Sequence, residues 1–206
     1  MSVAEALSPE KRAQILHGAA RVFAADGYEG ASMSRIAAEA NVSKGTLYNH
    51  FPSKAALFAA YVGQECSRNL AWIFAGADHG GEPAAFLRVL GQRMVELMIS
   101  PVGRTIYRVV ISEVTRFPDL AHAFFEAGPA RAIRQLSDWL TEETRRGRLV
   151  VADPDFAAEQ FFALCQTRLV LRQKLALLEA PGPGEVEFVV DAAVAMFLRF
   201  YTEGDR

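Results

Sequence analysis

The chain has 206 residues, of which 51% are hydrophobic, 22% charged and 10% aromatic. This is globular usage, with enough chain for one or two domains that fold unaided, and it excludes a disordered or fibrous protein. Lys and Arg total 22 against 24 Asp and Glu, a net charge of −2. A uniformly basic nucleic-acid coat is excluded; a local basic patch is not.

Helical signals run from one end to the other. Ser8-Pro9-Glu10 opens a first helix, with Ser as N-cap and Pro at the first helical position. Ile15, Leu16, Ala19, Ala20 and Phe23 recur at helical spacing and make its buried face. Asp26-Gly27 ends it, glycine taking the left-handed stop. Ser32 caps a short helix, about Met33–Ala40, and Ser43 caps another, about Lys44–Asn49. Phe51-Pro52-Ser53 breaks the chain before a long fourth helix that begins at Lys54 and extends toward Phe74, with Leu57, Phe58, Tyr61 and Val62 as its apolar stripe. Residues 76–83 (GADHGGEP) read as a loop. Helices are then expected near 83–99, 101–116, 118–127, 129–147, 154–179 and 185–203, punctuated by Pro101, Pro118, Gly128-Pro129, Gly147, Pro154 and the Pro181–Gly184 run. Leu149-Val150-Val151 reads as a helix–helix connection and not as a strand. The fold class is all-α.

The chemistry lies in Ser32–Lys54, SMSRIAAEANVSKGTLYNHFPSK. Two short helices joined by a tight turn form a helix-turn-helix. Ile36, Ala37, Ala40, Val42 and Leu47 supply its buried contacts, and Asn41 stands where the turn requires a positive φ. The second helix is left to present Lys44, Gly45, Thr46, Tyr48, Asn49 and His50 to a major groove. Gly45 lets the backbone come close to DNA. Ser43, Lys44, Tyr48, His50 and Lys54 reach phosphates, and helix N-termini at Ser32, Ser43 and Ser53 favour them. Thr46 suits a thymine methyl and Asn49 an adenine edge.

This pattern, SxxxIAxxAxVSKGTLYxHFxSKxxL after a helix and Asp-Gly-Tyr, resembles the DNA-binding half of the TetR family of bacterial one-component regulators over about Ile15–Leu57. The resemblance implies a homodimer on a double-stranded, pseudo-palindromic operator, with repression as the expected outcome. Asn41 replaces the family's usual Gly. Ser34 stands where an Arg often contacts DNA, and the adjacent Arg35 is expected to take that role. Residues 1–54 form the three-helix DNA-binding domain in this reading, and 55–206 a larger helical domain for ligand binding and dimerisation. Within the latter, RVVISEVTRFPDLAHAFFEAGP and GRLVVADPDFAAEQFF are similar to the AcrR-type efflux regulators.

Aromatic and Met residues crowd the helices after the loop, and some are expected to line an apolar cavity for a small apolar or amphipathic effector. The candidates are Trp72, Phe86, Met94, Tyr107, Phe124 and Trp139, with Arg108 and Gln166 as polar groups that orient the ligand. The last two long helices are apolar over wide arcs, which points to an intersubunit four-helix bundle through Phe161, Leu169, Leu175, Val189, Ala193, Met196 and Phe197.

No catalytic residue, metal site or cofactor is assigned. His17, His50, His79 and His122 lack ligand spacing, and no GxSxG, HExxH, phosphate loop or dinucleotide fingerprint is present. Cys66 and Cys165 read as small core hydrophobes in a reducing compartment. Met1–Arg12 lacks the form of a signal peptide, and no apolar run approaches the ~18 residues of a membrane span. A cytoplasmic location is expected. The alternatives to an effector-released repressor are a regulator without a small-molecule effector, and a helical enzyme or carrier.

Overall fold

The computed structural model describes residues 9–75 and 81–202. The expected cap Ser8, the signal-peptide reading of the first residues, residues 76–80 of the loop and His79 lie outside them. The described residues form α-helices and no strand: α1 (Pro9–Gly30), α2 (Met33–Glu39), α3 (Lys44–His50), α4 (Lys54–Phe74), α5 (Pro83–Ile99), α6 (Pro101–Glu113), α7 (Pro118–Ala127), α8 (Pro129–Arg145), α9 (Pro154–Cys165), α10 (Leu169–Lys174) and α11 (Glu185–Thr202). Six of these helices, α1 and α5 to α9, begin on a proline, whose fixed φ suits a first helical position and whose missing N–H is not needed there. Gly27 takes φ 69° and breaks α1 where the sequence places its stop.

The chain packs as two compact units. The first comprises Met1–Cys66 with Thr105–Phe125, the second Ser67–Arg104 with Glu126–Arg206. In the first, the core is aromatic. Phe58 meets Phe23 edge-on at 4.9 Å and Tyr28 at 5.1 Å, an arrangement in which ring edges face ring faces. Ile106, Val109 and Val110 of α6 and Leu120 of α7 belong to this same core, with Ile36, Leu47 and Leu57.

In the second unit α5 lies against α9 and α11 with almost no clearance. A Cβ on Gly91 would come within 2.9 Å of Val190 Cγ1 and 3.1 Å of Cys165 Sγ. Phe161 packs edge-on against Phe197 at 5.3 Å. Burial pushes the Cys165 thiol up to about 12, so it is an inert core residue, whereas Cys66 is half-buried. Glu143 is wholly buried and is neutralised by Arg148, whose Nη2 donates to Oε1 at 2.7 Å. The 149–151 segment is a connection, pinned by Val150 N–H donating to Tyr201 O at 2.6 Å.

One expectation is corrected. The helix expected over 154–179 is two helices, α9 and α10. Arg168 adopts φ 65°, Gln166 closes α9, and Thr167 Oγ1 donates back to Leu164 O at 2.8 Å. No Gly or Pro marks this break; a threonine hydroxyl and an arginine in a strained conformation make it.

Candidate nucleic-acid interface

The short helices α2 and α3 are seated on α1. The Ser32 hydroxyl accepts from Arg35 N–H at 3.2 Å and caps α2; the Ser43 hydroxyl accepts from Thr46 N–H at 3.0 Å and caps α3. Between them Asn41 takes φ 50°, the left-handed conformation that its short polar side chain tolerates. Gln14 of α1 reaches this turn and donates to Ala40 O at 2.6 Å. Gly18 is the second anchor. A Cβ there would come within 2.8 Å of the Ala40 backbone, so α1 and α2 touch at a point that only glycine allows.

This seating decides what α3 shows to solvent. Leu47 is its only buried residue, fully covered, and it holds the helix to the core. Lys44, Gly45, Tyr48 and Asn49 are exposed, Tyr48 by half. A Cβ on Gly45 would meet nothing nearer than Ser43 Oγ at 3.8 Å, so the fold itself sets no requirement for glycine there. Thr46 is half-buried, and its hydroxyl is 2.7 Å from that of Ser43. Desolvation holds the His50 imidazole below its usual pKa of 6.5, so near neutral pH it is an uncharged ring. Ser32, Ser34, Arg35 and Ser43 are exposed on the same module.

Lys54 is placed differently from a free phosphate contact. Its ammonium donates to Tyr28 O at 2.6 Å, Ala31 O at 3.1 Å and Glu29 O at 3.4 Å, and it lies 4.4 Å from the centroid of the Tyr28 ring. All three hydrogens are engaged in holding the chain that follows the Gly27 break. The sequence does not announce Gln14 or Gly18, and it marks Asp26 only as part of the helix stop, not as the partner of Arg35 at 2.5 Å. A glycine within a helical run is the signal that could have found Gly18.

The residues expected to bind an effector are divided between the units. Phe86, Met94 and Trp139 meet in the core of the second, with Phe86 and Trp139 stacked at 4.1 Å. Gln166, also in that unit, donates to Phe162 O at 3.1 Å. Trp72 is exposed there beneath Arg93, whose guanidinium carbon is 5.6 Å from the ring centroid. Tyr107, Arg108 and Phe124 belong to the first unit, Arg108 exposed and the two aromatics half-buried.

The expected dimer residues also divide. Phe161, Leu169, Val189, Ala193 and Phe197 are covered by their own chain, the last three because α5 and α9 occupy that arc of α11. Leu175 and Met196 remain exposed, together with Phe188, Phe200 and Leu171. Phe188, Ala192, Met196 and Phe200 recur every four residues and form one apolar stripe on α11.

Comparison with known proteins agrees with this arrangement. A family described as bacterial regulatory proteins, tetR family, matches residues 15–61, and the C-terminal domain of AefR-like transcriptional repressors matches residues 85–203. The second description is AefR-like, where the sequence motifs resemble the AcrR type. A Mesorhizobium loti protein assigned to the TetR family of transcriptional regulators superposes with TM-score 0.88 at 27% identity, over 96% of this chain and 99% of its own. The flavonoid-responsive regulator FrrA superposes with TM-score 0.81 at 31% identity, over 96% of this chain and all of its own. The repressor KstR of Mycobacterium tuberculosis is 31% identical over 129 residues, 62% of this chain and 53% of KstR. The chain spans 37% to 53% of the length of the first curated relatives it matches. Matched in both halves, and aligned with FrrA along nearly its whole length, the chain belongs to the TetR family, whose members are DNA-binding transcriptional regulators and not enzymes.

Proposed function

We propose that the protein is a sequence-specific transcriptional repressor that binds a palindromic operator as a homodimer and is released by a small apolar or amphipathic ligand. The observation that carries this reading is the exposure of α3: one leucine faces inward, and Lys44, Gly45, Tyr48 and Asn49 face out. Residues 1–54 contact DNA, and 55–206 receive the effector and the partner subunit. Lys44, Tyr48 and neutral His50 bind phosphates with the Ser32 and Ser43 caps; Arg35, Thr46 and Asn49 face bases. Two copies of α3 enter successive major grooves about 34–36 Å apart. Effector and operator then oppose each other by linkage, at ~1–3 kcal/mol or more.

The apolar stripe of α11, with Leu171 and Leu175, supports the homodimer, since Phe188, Met196 and Phe200, three large side chains on one line of the helix, are otherwise left against water. No described helix is long and apolar enough to cross a membrane; we assign the protein to the cytoplasm, where an operator is accessible. A second reading, a regulator without an effector, draws on Phe86 and Trp139, which fill each other's space in the second unit.

The test is selection of bound sequences from a random DNA pool by the purified protein at a stated salt concentration. Enrichment of a palindrome is the expected result and supplies a probe for screening ligands by release. Failure to enrich, from folded protein stripped of ligand by denaturation and refolding, overturns the reading.

A further inference from the structure

Arg35 and Asp26 form a pair that stability alone does not explain. Asp26 closes the straight part of α1, one residue before the Gly27 break. A carboxylate at the C-terminal end of a helix has the wrong sign for the helix dipole, and on a DNA-binding module it repels phosphate. Its Oδ2 is shielded from solvent, and no hydrogen bond satisfies it. The neighbour is Arg35 Nη1, at 2.5 Å, and the two side chains are 16% and 57% exposed. The contact is thus an ion pair through one edge of the guanidinium, and it leaves the rest of the fork open toward solvent.

Joining α1 to α2 does not depend on this pair. Arg21 Nη2 meets Glu39 Oε1 at 2.8 Å and also donates to Glu39 O at 3.2 Å. Gln14 holds the far end of α2 through Ala40 O. What Asp26 adds is a fixed direction for an otherwise flexible arginine in the first turn of α2, close to the Ser32 cap.

We propose that Asp26 is a positioning residue for Arg35: the half-buried carboxylate, through its shielded Oδ2, anchors one edge of the guanidinium, so that the other edge meets the operator in one orientation instead of serving as a diffuse positive charge. The proposal rests on the reading of Arg35 as a DNA contact. An arginine held for a directional contact carries sequence discrimination; the same arginine released keeps its charge and loses its aim.

The test measures the affinity ratio between the operator enriched from the random pool and unrelated duplex DNA, using the full-length protein. Asp26→Asn is expected to lower the ratio about tenfold, the scale of one directed base contact. Its affinity for unrelated DNA should stay level or rise, because a negative charge is gone. Arg35→Ala is expected to lower the ratio as far, and Asp26→Asn added to it should change the ratio less than twofold. Glu39→Gln, which removes the other ion pair between α1 and α2, should leave the ratio unchanged.

A wild-type ratio in Asp26→Asn, with the ratio lost in Arg35→Ala, overturns the positioning role and leaves the Arg35 reading intact. A wild-type ratio in Arg35→Ala removes both. An equal loss from Asp26→Asn with and without Arg35 assigns Asp26 to the fold and also overturns the proposal. Should Asp26→Asn not fold, Asp26→Glu moves the carboxylate by one methylene. A ratio lowered at least twofold supports the proposal, and an unchanged ratio overturns it.

Discussion

Gly18 sets two principles against each other. Alanine in a helix interior is worth up to about 1 kcal/mol more than glycine, so Gly18→Ala should stabilise α1 considered alone. Its Cβ, however, would stand 2.7–2.8 Å from Ala40, including backbone atoms that cannot rotate away. Overpacking of this kind costs about 1–3 kcal/mol, so the clash outweighs the propensity. Gly18→Ala is expected to lower the melting temperature and to weaken operator binding, since the atoms that must move adjoin the Asn41 turn. A melting temperature at or above wild type would show that α2 has slack at this point. The same residues show what was legible in advance. Ser32, Ser43 and Asn41 act through neighbours one to three positions away, so their roles could be read from local pattern. Gln14 and Asp26 act on residues 26 and 9 positions distant, and no local spacing announces that.

Among the helices, α6 carries an acid into the core of the first unit. Glu113 ends α6 with its side chain buried and the Glu29 carboxyl beside it. Burial, then Glu29, raise the Glu113 carboxyl above its usual 4.5, while Arg116 and Lys54 pull it down. Because the folded state holds the Glu113 proton more tightly than the unfolded chain, the contribution to stability is complete below pH 4.5 and is lost as pH rises through the elevated value. Melting temperatures at successive pH values should therefore show a decline above pH 4.5 that Glu113→Gln reduces. Equal pH dependence in the two proteins would show that another group carries the effect. At this scale the proline-led starts of α5 to α9 were visible in sequence. The α9–α10 break was not, because Arg168 is an ordinary residue forced into φ 65° by its surroundings.

For the molecule as a whole, the decisive matter is which arc of α11 remains bare. A helix apolar nearly all round does not declare which side its own chain will cover. Here Gly91 admits α11 so closely to α5 that Val189, Ala193 and Phe197 are covered, and the stripe through Met196 and Phe200 is left. Two glutamates in that stripe, Met196→Glu with Phe200→Glu, would bury like charges at the proposed two-fold interface. Sedimentation should then report monomers. Operator affinity should fall by orders of magnitude, as the two half-sites cease to be bound by one linked particle. A double variant that stays dimeric would move the interface elsewhere.

The division of α11 between a covered and a bare side bears on the life history of each subunit. With Phe161 and Phe197 already packed together inside one chain, a newly made subunit can finish folding before it meets another. In the proposed dimer, partners joined mainly through Met196, Phe200 and their neighbours would part and recombine without unfolding. If that dimer forms as proposed, a variant and the wild type in one cell would mix into hybrid particles, and a single subunit defective in DNA contact would silence its partner as well.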